Sequence, residues 1–347
     1  MSRNKLPVKF PMSEFSVVSS IVAPNDIACF VQREYGLAMP TTCRLLKTGI
    51  NHTYRLDSGT ESYIFRLYSY QWRTYQEIIE ELELLLDLKV EALQVSYPIA
   101  DCAGNFVRLV PAPEGERFAV LFSFAKGKKI LQYGEETHFE IGKLMGQLHR
   151  MTLGRTQSRI SYTAETLLHG PLGYLGNFLS DEIEEMKYLK NLIPILEQEL
   201  AQADISKIRQ GIVHLDIWFD NLNISNETGI TLFDFDFCGN GWLCMDIAYY
   251  IMQVYNTEKN ETERASKTDA FFKGYESICE ISPEERRLLP ILGVCIFVFY
   301  LGTQCQRFEN WSNTFINEVY LKRFITVYIK GYYEAQHNPF GLSGENK

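Results

Sequence analysis

The sequence predicts an α+β protein of two unequal lobes: a small β-rich N-terminal lobe with one helix, and a larger, mainly helical C-terminal lobe. Its 347 residues suffice for about two domains. Between residues 41 and 125, short apolar runs alternate with turn residues, whereas after residue 126 apolar residues recur at helical spacing. We therefore expect an N-terminal lobe over 1–125 and a C-terminal lobe over 126–347.

In the N-terminal lobe, β-forming runs are separated by turn residues such as Thr48-Gly49. Strands are predicted over 43–47, 51–56, 62–68, 95–99, 106–110 and 117–124. One helix is predicted over 74–88, because Ile78, Leu82 and Leu85 share a helical face. These elements give a small sheet with one helix.

The C-terminal lobe shows the amphipathic spacing of helices. Helices are predicted over 139–151, 182–200, 244–255, 263–279, 282–307 and 312–335. Ser282 and Glu285 form a capping box at the start of the fifth helix, and Pro290 should kink or restart it. A pair of strands, 211–215 and 229–235, is expected to interrupt the helices.

Composition excludes several functional classes. The chain carries 34 basic and 43 acidic residues, a net charge of −9, without a basic block, so we expect no nucleic-acid partner. Its eight cysteines form no CxxC pair and suggest a reduced environment. The longest apolar run, Leu288 to Leu301, is shorter than the roughly 18 residues that span a bilayer. We therefore expect a soluble, cytoplasmic protein with no membrane partner.

Two short segments carry chemistry. The first runs from His214 to Asn221 and places Asp216 five residues before the asparagine; the second ends a β run with Asp234 and Asp236. Side chains at i and i+2 of a strand point the same way, so the two later acids should share a face. An Asp beside the attacking hydroxyl, with an Asn and a further Asp to hold Mg²⁺, is what phosphoryl transfer requires.

These segments resemble those of the aminoglycoside phosphotransferase, choline kinase and homoserine kinase superfamily, which has a protein-kinase-like fold. The likeness covers about residues 40 to 335. Besides 214–221 and 233–236, the segments 142–149 and 239–248 match family motifs in the right order. The resemblance implies an ATP- and Mg²⁺-dependent kinase that acts on a hydroxyl of a small molecule, such as an amino alcohol, an amino acid or an aminoglycoside-like compound.

The resemblance also implies roles for single residues. Asp216 would be the catalytic base, Asn221 and Asp234 would ligate Mg²⁺, and Asp236 would support a second metal or a metal-bound water. Leu215 stands where the family usually has glycine.

The N-terminal lobe should supply the nucleotide site. Gly49 and Asn51 lie where a phosphate-covering loop belongs. Arg66 occupies the position of the fold's anchoring lysine on the third strand. Glu81 falls inside the apolar stripe of the predicted helix, where a lone acid is costly unless paired, so we expect an ion pair with Arg66. Glu80 is the alternative partner.

The strand that leads into the C-terminal lobe resembles a hinge. Main-chain groups from Ser123 to Ala125 would contact the edge of adenine. Besides the small-molecule kinase, two other functions stay open: a protein Ser/Thr kinase of the same fold, and a nucleotide-binding regulator without turnover. The regulator is suggested by Arg66 and by the single glycine of the loop.

Overall fold

The computed structural model describes residues 15–309 and 315–337. The elements of the N-terminal lobe are α1 (Pro24–Tyr35), β1 (Thr41–Thr48), β2 (His52–Ser58), β3 (Glu61–Leu67), α2 (Tyr75–Val90), β4 (Pro98–Ile99), β5 (Val107–Ala112) and β6 (Gly115–Ser123). The strands form a six-stranded antiparallel sheet in the order β1-β2-β3-β6-β4, with β5 also paired to β6. This architecture confirms the predicted fold class.

Two details of the N-terminal lobe differ from the prediction. Helix α1 was not anticipated; it begins with Pro24, ends at the left-handed Gly36, and packs Ile27 and Val31 into a core under the sheet. The strand predicted over 95–99 keeps only its last two residues. The Ser96 N–H instead donates to the C-terminal lobe, at Leu232 O.

The C-terminal lobe is a helical body with two short two-stranded sheets. Its regular elements are α3 (Glu135–Thr152), α4 (Gly170–Leu175), α5 (Glu184–Ala201), β7 (Gln210–Val213), β8 (Leu222–Ser225), β9 (Gly229–Leu232), β10 (Gly239–Trp242), α6 (Cys244–Thr257), α7 (Glu261–Glu276), α8 (Pro283–Gln306), α9 (Glu318–Arg323) and α10 (Gly331–His337). A π-helical segment, Phe324–Lys330, joins the last two helices. Residues 312–314 of the predicted last helix lie outside the described residues.

The predicted pairing of the two C-terminal strands is wrong. Strand β7 pairs with β10, and β9 pairs with β8. Strand β10 contains Gly239 and Gly241, which are poor strand formers. The glycines are needed because a Cβ at Gly239 would lie 2.5 Å from Ile160 O.

Helix α8 forms the centre of the C-terminal lobe. The capping box of Ser282 and Glu285 is present, and the helix continues through Pro290 without restarting. Among the described residues, α8 is the one helix that is long and apolar enough to cross a membrane, but 83% of its apolar window is buried inside the lobe. Its burial is that of a core helix.

Helices α3 and α7 approach each other through glycines. A Cβ at Gly274 would lie 1.9 Å from Phe139 O, and one at Gly142 would lie 2.1 Å from Phe271 O. Both neighbours are main-chain atoms, which cannot rotate away. The two helices therefore pack at a distance that only glycine permits.

We expect Gly274→Ala to lower the free energy of unfolding by about 1–3 kcal/mol, because overpacking outweighs the gain in helix propensity. Urea unfolding measures the change. Gly173→Ala in α4 is the matched control, since a Cβ there meets no atom within 4 Å. Equal stability of the two variants would contradict this account of the α3–α7 contact.

Candidate active site

The loop after β7 is held by the carboxylate of Asp246 at the start of α6. The main-chain N–H of His214 donates to Asp246 Oδ2 at 2.9 Å, and that of Leu215 donates to Oδ1 at 2.5 Å. His149 Nε2 lies 3.0 Å from the same Oδ2. A single buried acid thus fixes two consecutive peptides of the loop.

Leu215 has a left-handed backbone, with φ of 60°. This region favours glycine, which the family usually has here, and for a leucine it costs on the order of 1–3 kcal/mol. The Leu215 side chain is fully buried, and its carbonyl accepts a hydrogen bond of 2.8 Å from Tyr300 Oη. Core packing and hydrogen bonds therefore impose the conformation.

Asp216 lies immediately after this turn and lines a cavity. Its Oδ1 accepts a hydrogen bond from Tyr249 Oη at 2.6 Å, and its Oδ2 accepts one from Asn221 Nδ2 at 2.7 Å. Burial raises the pKa of the Asp216 carboxyl to about 7, against the opposing effect of the Tyr249 hydrogen bond. A carboxylate with a pKa in this range is suited to accept a proton near neutral pH.

Asn221 and Asp234 present oxygen atoms beside Asp216. The Asn221 Nδ2 also donates to Asp216 O at 3.0 Å, so the amide nitrogen faces the loop and Oδ1 is left for other partners. Asp234 Oδ1 lies 2.9 Å from Arg66 Nη2. Within the described residues no group of three or more His, Cys, Asp and Glu forms a metal site. The pair nevertheless fits Mg²⁺, which takes few protein oxygens and completes its shell with phosphates and water.

Asp236 does not share a strand face with Asp234, as had been predicted. Strand β9 ends at Leu232, Asp234 has a left-handed φ of 68°, and a 3-10 turn follows, so strand alternation does not apply. Asp236 Oδ2 accepts a hydrogen bond from Trp72 Nε1 at 2.7 Å, and Oδ1 accepts one from Arg73 Nε at 3.2 Å. Both oxygens accept hydrogen bonds from side chains of the protein, so the structure does not favour Asp236 as a metal residue, although it lines the second cavity.

The predicted ion pair of Arg66 and Glu81 is confirmed. Arg66 Nη1 lies 2.8 Å from Glu81 Oε1, and both residues are buried. Arg159 Nη1 adds a second charge 3.6 Å from Glu81 Oε2. Glu80 is half-exposed and accepts a hydrogen bond from the neighbouring Gln76, so it is not the partner.

The outer side of α2 is attached to the C-terminal lobe. Gln157 Nε2 donates to Glu80 O at 2.6 Å, and Arg159 Nη1 donates to Glu77 O. Arg159 Nη2 also donates to Asp236 O at 2.6 Å. The helix that carries Glu81 is thus held on two sides.

Two cavities, each of about 500 Å³, meet beside Asp216. The first lies under the N-terminal sheet between Ile64, Phe122 and Phe233. The second enters the C-terminal lobe between α6, α8 and the π-helical segment. Six residues line both cavities: Lys47, Thr53, Arg66, Asp220, Asn221 and Asp234. Asn221 and Asp234 therefore stand at the junction, whereas Asp236 lines only the second cavity.

Of the two residues predicted for the hinge, one lines the first cavity. Ser123 is not among the residues that line the first cavity; its N–H donates to Tyr97 O at 2.9 Å and its carbonyl accepts from Ser96 Oγ at 2.6 Å. Ala125 lines that cavity, while its carbonyl accepts from Asn223 Nδ2 at 2.6 Å. The main-chain N–H and carbonyl of Ser123 are thus both hydrogen bonded within the N-terminal lobe.

The loop of Gly49 and Asn51 covers the second cavity and not the first. The Gly49 N–H donates to Asn51 O at 3.2 Å, and Asn51 Oδ1 accepts from the Ser69 N–H at 3.2 Å. The turn is therefore braced by side-chain and main-chain bonds at the tip of β1 and β2. The loop therefore lies beside the second cavity.

Three residues of the site were not identified from the sequence. Lys47 and Lys129 both pair with Asp220, at 3.6 and 2.7 Å, and all three line the first cavity. Tyr249 holds Asp216. A signal for Tyr249 existed, because it follows Asp246 by three residues and so shares its helical face. The lysines gave none, since exposed lysines are common.

Comparison with known proteins places this geometry among kinases. The sequence profile described as the phosphotransferase enzyme family matches residues 42–281. An uncharacterized protein of Synechocystis sp. is 28% identical over 89% of this chain and 85% of its own. A homoserine kinase of Gluconobacter oxydans is 27% identical over 67% of this chain and 71% of its own.

Two solved structures show the same fold. The amicoumacin kinase hAmiN, in complex with AMP-PNP, Ca²⁺ and amicoumacin, has a TM-score of 0.72 at 20% identity, over 88% of this chain and 93% of its own. A microcompartment-associated aminopropanol kinase has a TM-score of 0.71 at 19% identity, over 90% and 96%.

Proposed function

Because the chain belongs to the phosphotransferase enzyme family, and is thus a small-molecule kinase with an alcohol group as acceptor, we propose that it transfers the γ-phosphoryl group of ATP in the presence of Mg²⁺. One observation carries this proposal most directly. Asp216 is hydrogen bonded to Asn221 at the junction where two cavities meet, with Asp234 lining the same junction. A phosphoryl donor in one cavity and an alcohol in the other would meet at that carboxylate.

The reaction divides between the lobes. ATP binds in the first cavity, where Arg66 offers a guanidinium to its phosphates and Ala125 lies at the hinge. Asn221 and Asp234 would hold Mg²⁺, which neutralises phosphate charge when bound. The alcohol binds in the second cavity and gives its proton to an Asp216 oxygen as its own oxygen attacks the γ-phosphorus. The bond from that phosphorus to the β–γ bridging oxygen breaks, and ADP leaves.

The two lobes thus have separate tasks, with the boundary proposed at residue 125. Catalysis consists mainly of positioning and of charge stabilisation, as is general for phosphoryl transfer. We propose a soluble, cytoplasmic enzyme whose partners are small molecules.

ADP release from MgATP, measured with and without a panel of hydroxylated metabolites, tests the function. Transfer to a protein hydroxyl, or ATP binding without acceptor-dependent turnover, would contradict it.

We expect Asn221→Ala and Asp234→Ala each to raise the Mg²⁺ concentration needed for half-maximal turnover. Each change removes one hard oxygen ligand, so more free metal is required. Titration of Mg²⁺ at fixed ATP measures the effect. Asp236→Asn is the control: it should lower the melting temperature, since Arg73 loses one of its two charged partners and keeps Glu77 at 3.5 Å, and leave the Mg²⁺ requirement unchanged. If Asp236→Asn alone changed the Mg²⁺ requirement, Asp236 would be the metal ligand, and Asn221 and Asp234 would not.

A further inference from the structure

The second cavity has a wall of aromatic rings. This aromatic wall consists of Tyr249, Phe297, Tyr300, Phe324 and Tyr328. Ring centroids lie 5.4 Å apart for Tyr249 and Tyr300, 5.8 Å for Phe297 and Phe324, and 5.0 Å for Phe324 and Tyr328. Ring faces attract cations, most strongly where water is excluded. The wall therefore offers an ammonium group a favourable surface.

The charges of this cavity are arranged unevenly. Among its described lining residues the cations are Lys47 and Arg66, and both also line the first cavity. Both are already paired, Lys47 with Asp220 and Arg66 with Glu81 and Asp234. The end that holds an acceptor thus has no cation of its own among the residues described.

Asp216 adds negative charge at the same end. The side-chain hydrogen-bond partners of its carboxylate, Tyr249 and Asn221, are neutral, and no cation lies within ion-pair distance of it in the described chain. The other polar side chains that α6 and α8 contribute to the lining of the cavity are neutral: Gln253, Asn256, Thr257 and Gln304. A carboxylate entering this cavity would lose its hydration without gaining a counter-charge, while an ammonium group would gain both the rings and the acid.

We propose that the acceptor is a cationic alcohol, which carries an ammonium group and no carboxylate, and that the aromatic wall and Asp216 select it. This inference rests on the proposed function, because it names the class of alcohol that the same site phosphorylates. The proposed acceptor differs from homoserine, which carries a carboxylate beside its amine. This chain would therefore differ in substrate from the homoserine kinases to which it is similar.

A matched pair of probes tests the selection. Homoserine and 3-aminopropan-1-ol differ only in the carboxylate, and propane-1,3-diol lacks both charges. With the full-length protein and MgATP, we expect kcat/KM for 3-aminopropan-1-ol to exceed that for homoserine at least tenfold, and that for the diol as well. In the presence of AMP-PNP and Mg²⁺, 3-aminopropan-1-ol should raise the melting temperature and homoserine should not.

Two variants identify the residues responsible. Asn256→Lys places a cation in the cavity and should lower the preference for the amine over homoserine at least tenfold. Asn226→Lys makes the same charge change in the exposed β8–β9 turn, outside the cavity, and should leave the preference as it is. Phe324→Leu keeps an apolar side chain without a π face and should reduce kcat/KM for the amine severalfold, whereas Phe315→Leu, outside the cavity lining, should not.

The failures are distinguishable. Homoserine used as well as the amine, or an acidic alcohol preferred to both, overturns the selection and leaves the kinase assignment in place. Absence of both turnover and thermal stabilisation with 3-aminopropan-1-ol also overturns the selection. Absence of phosphoryl transfer to every alcohol of the wider panel, with ATP bound, overturns the proposed function itself.

Discussion

Replacing Asp216 by Asn is expected to reduce kcat by a factor on the order of 10²–10⁴, the usual contribution of a general base. The amide keeps the shape of the carboxylate, and its oxygen can still accept from Tyr249 or Asn221, so the loop should keep its fold. The substitution removes the carboxylate that accepts the proton of the alcohol. Nucleotide affinity should change little, because Asp216 is absent from the lining of the first cavity.

Single-turnover measurements with ³²P-labelled ATP and a saturating alcohol would measure the chemical step. Asp269→Asn is a suitable control, since this carboxylate is exposed on α7 and pairs only with the neighbouring Lys273 among the described residues. An Asp216→Asn enzyme that turns over within a few-fold of the wild type would remove Asp216 from the mechanism.

Replacing Arg66 by Ala is expected to weaken ATP binding and to destabilise the fold together. The change leaves Glu81 fully buried without its main counter-charge, which typically costs roughly 3–5 kcal/mol. Arg159 remains 3.6 Å from Glu81, so we expect the lower end of that range, about 3 kcal/mol. Asp234 also loses its 2.9 Å contact, and the phosphates lose a guanidinium.

A double-mutant cycle of Arg66→Ala and Glu81→Ala separates pairing from the individual losses. We expect a coupling energy of about 0.5–3 kcal/mol in unfolding experiments. Arg66→Lys is informative in addition, because a lysine cannot reach Glu81 and Asp234 with one planar group. Glu80→Ala is the control on the same helix. Additive effects of the two buried-site changes would contradict the pairing seen here.

The ion pair shows what the sequence can predict. Arg66 and Glu81 were found because each is a charge on an otherwise apolar face, and burial of a charge demands a partner. Asp216 and Asn221 were predicted on other grounds, from the spacing of their motif and its resemblance to a family, and the capping box of Ser282 from local hydrogen bonding. The motif spacing and the capping box are patterns within a few residues of the chain. The ion pair follows from the single rule that a buried charge needs a partner.

What the sequence did not reveal depends on distant contacts. The pairing of β7 with β10 follows from glycines that admit Thr152 O and Ile160 O at close range, and no local pattern encodes those neighbours. Asp236 was misplaced because the strand ends four residues before it, where Asp234 adopts a left-handed backbone. Helix α1, by contrast, carried readable signals in Pro24 and Gly36.

The attachment of α2 has a consequence for control of the enzyme. In protein kinases, the position of the corresponding helix decides whether the catalytic ion pair is made, and regulators act by moving it. Here Arg66 binds the helix from within, while Gln157 and Arg159 bind its main chain from the C-terminal lobe. An outward shift of the helix would break all of these contacts at once and leave the charge of Glu81 without its counter-charges. The position of this helix is therefore a poor on–off switch. We expect the rate of the reaction to depend instead on the amount of enzyme and on the concentration of its substrates.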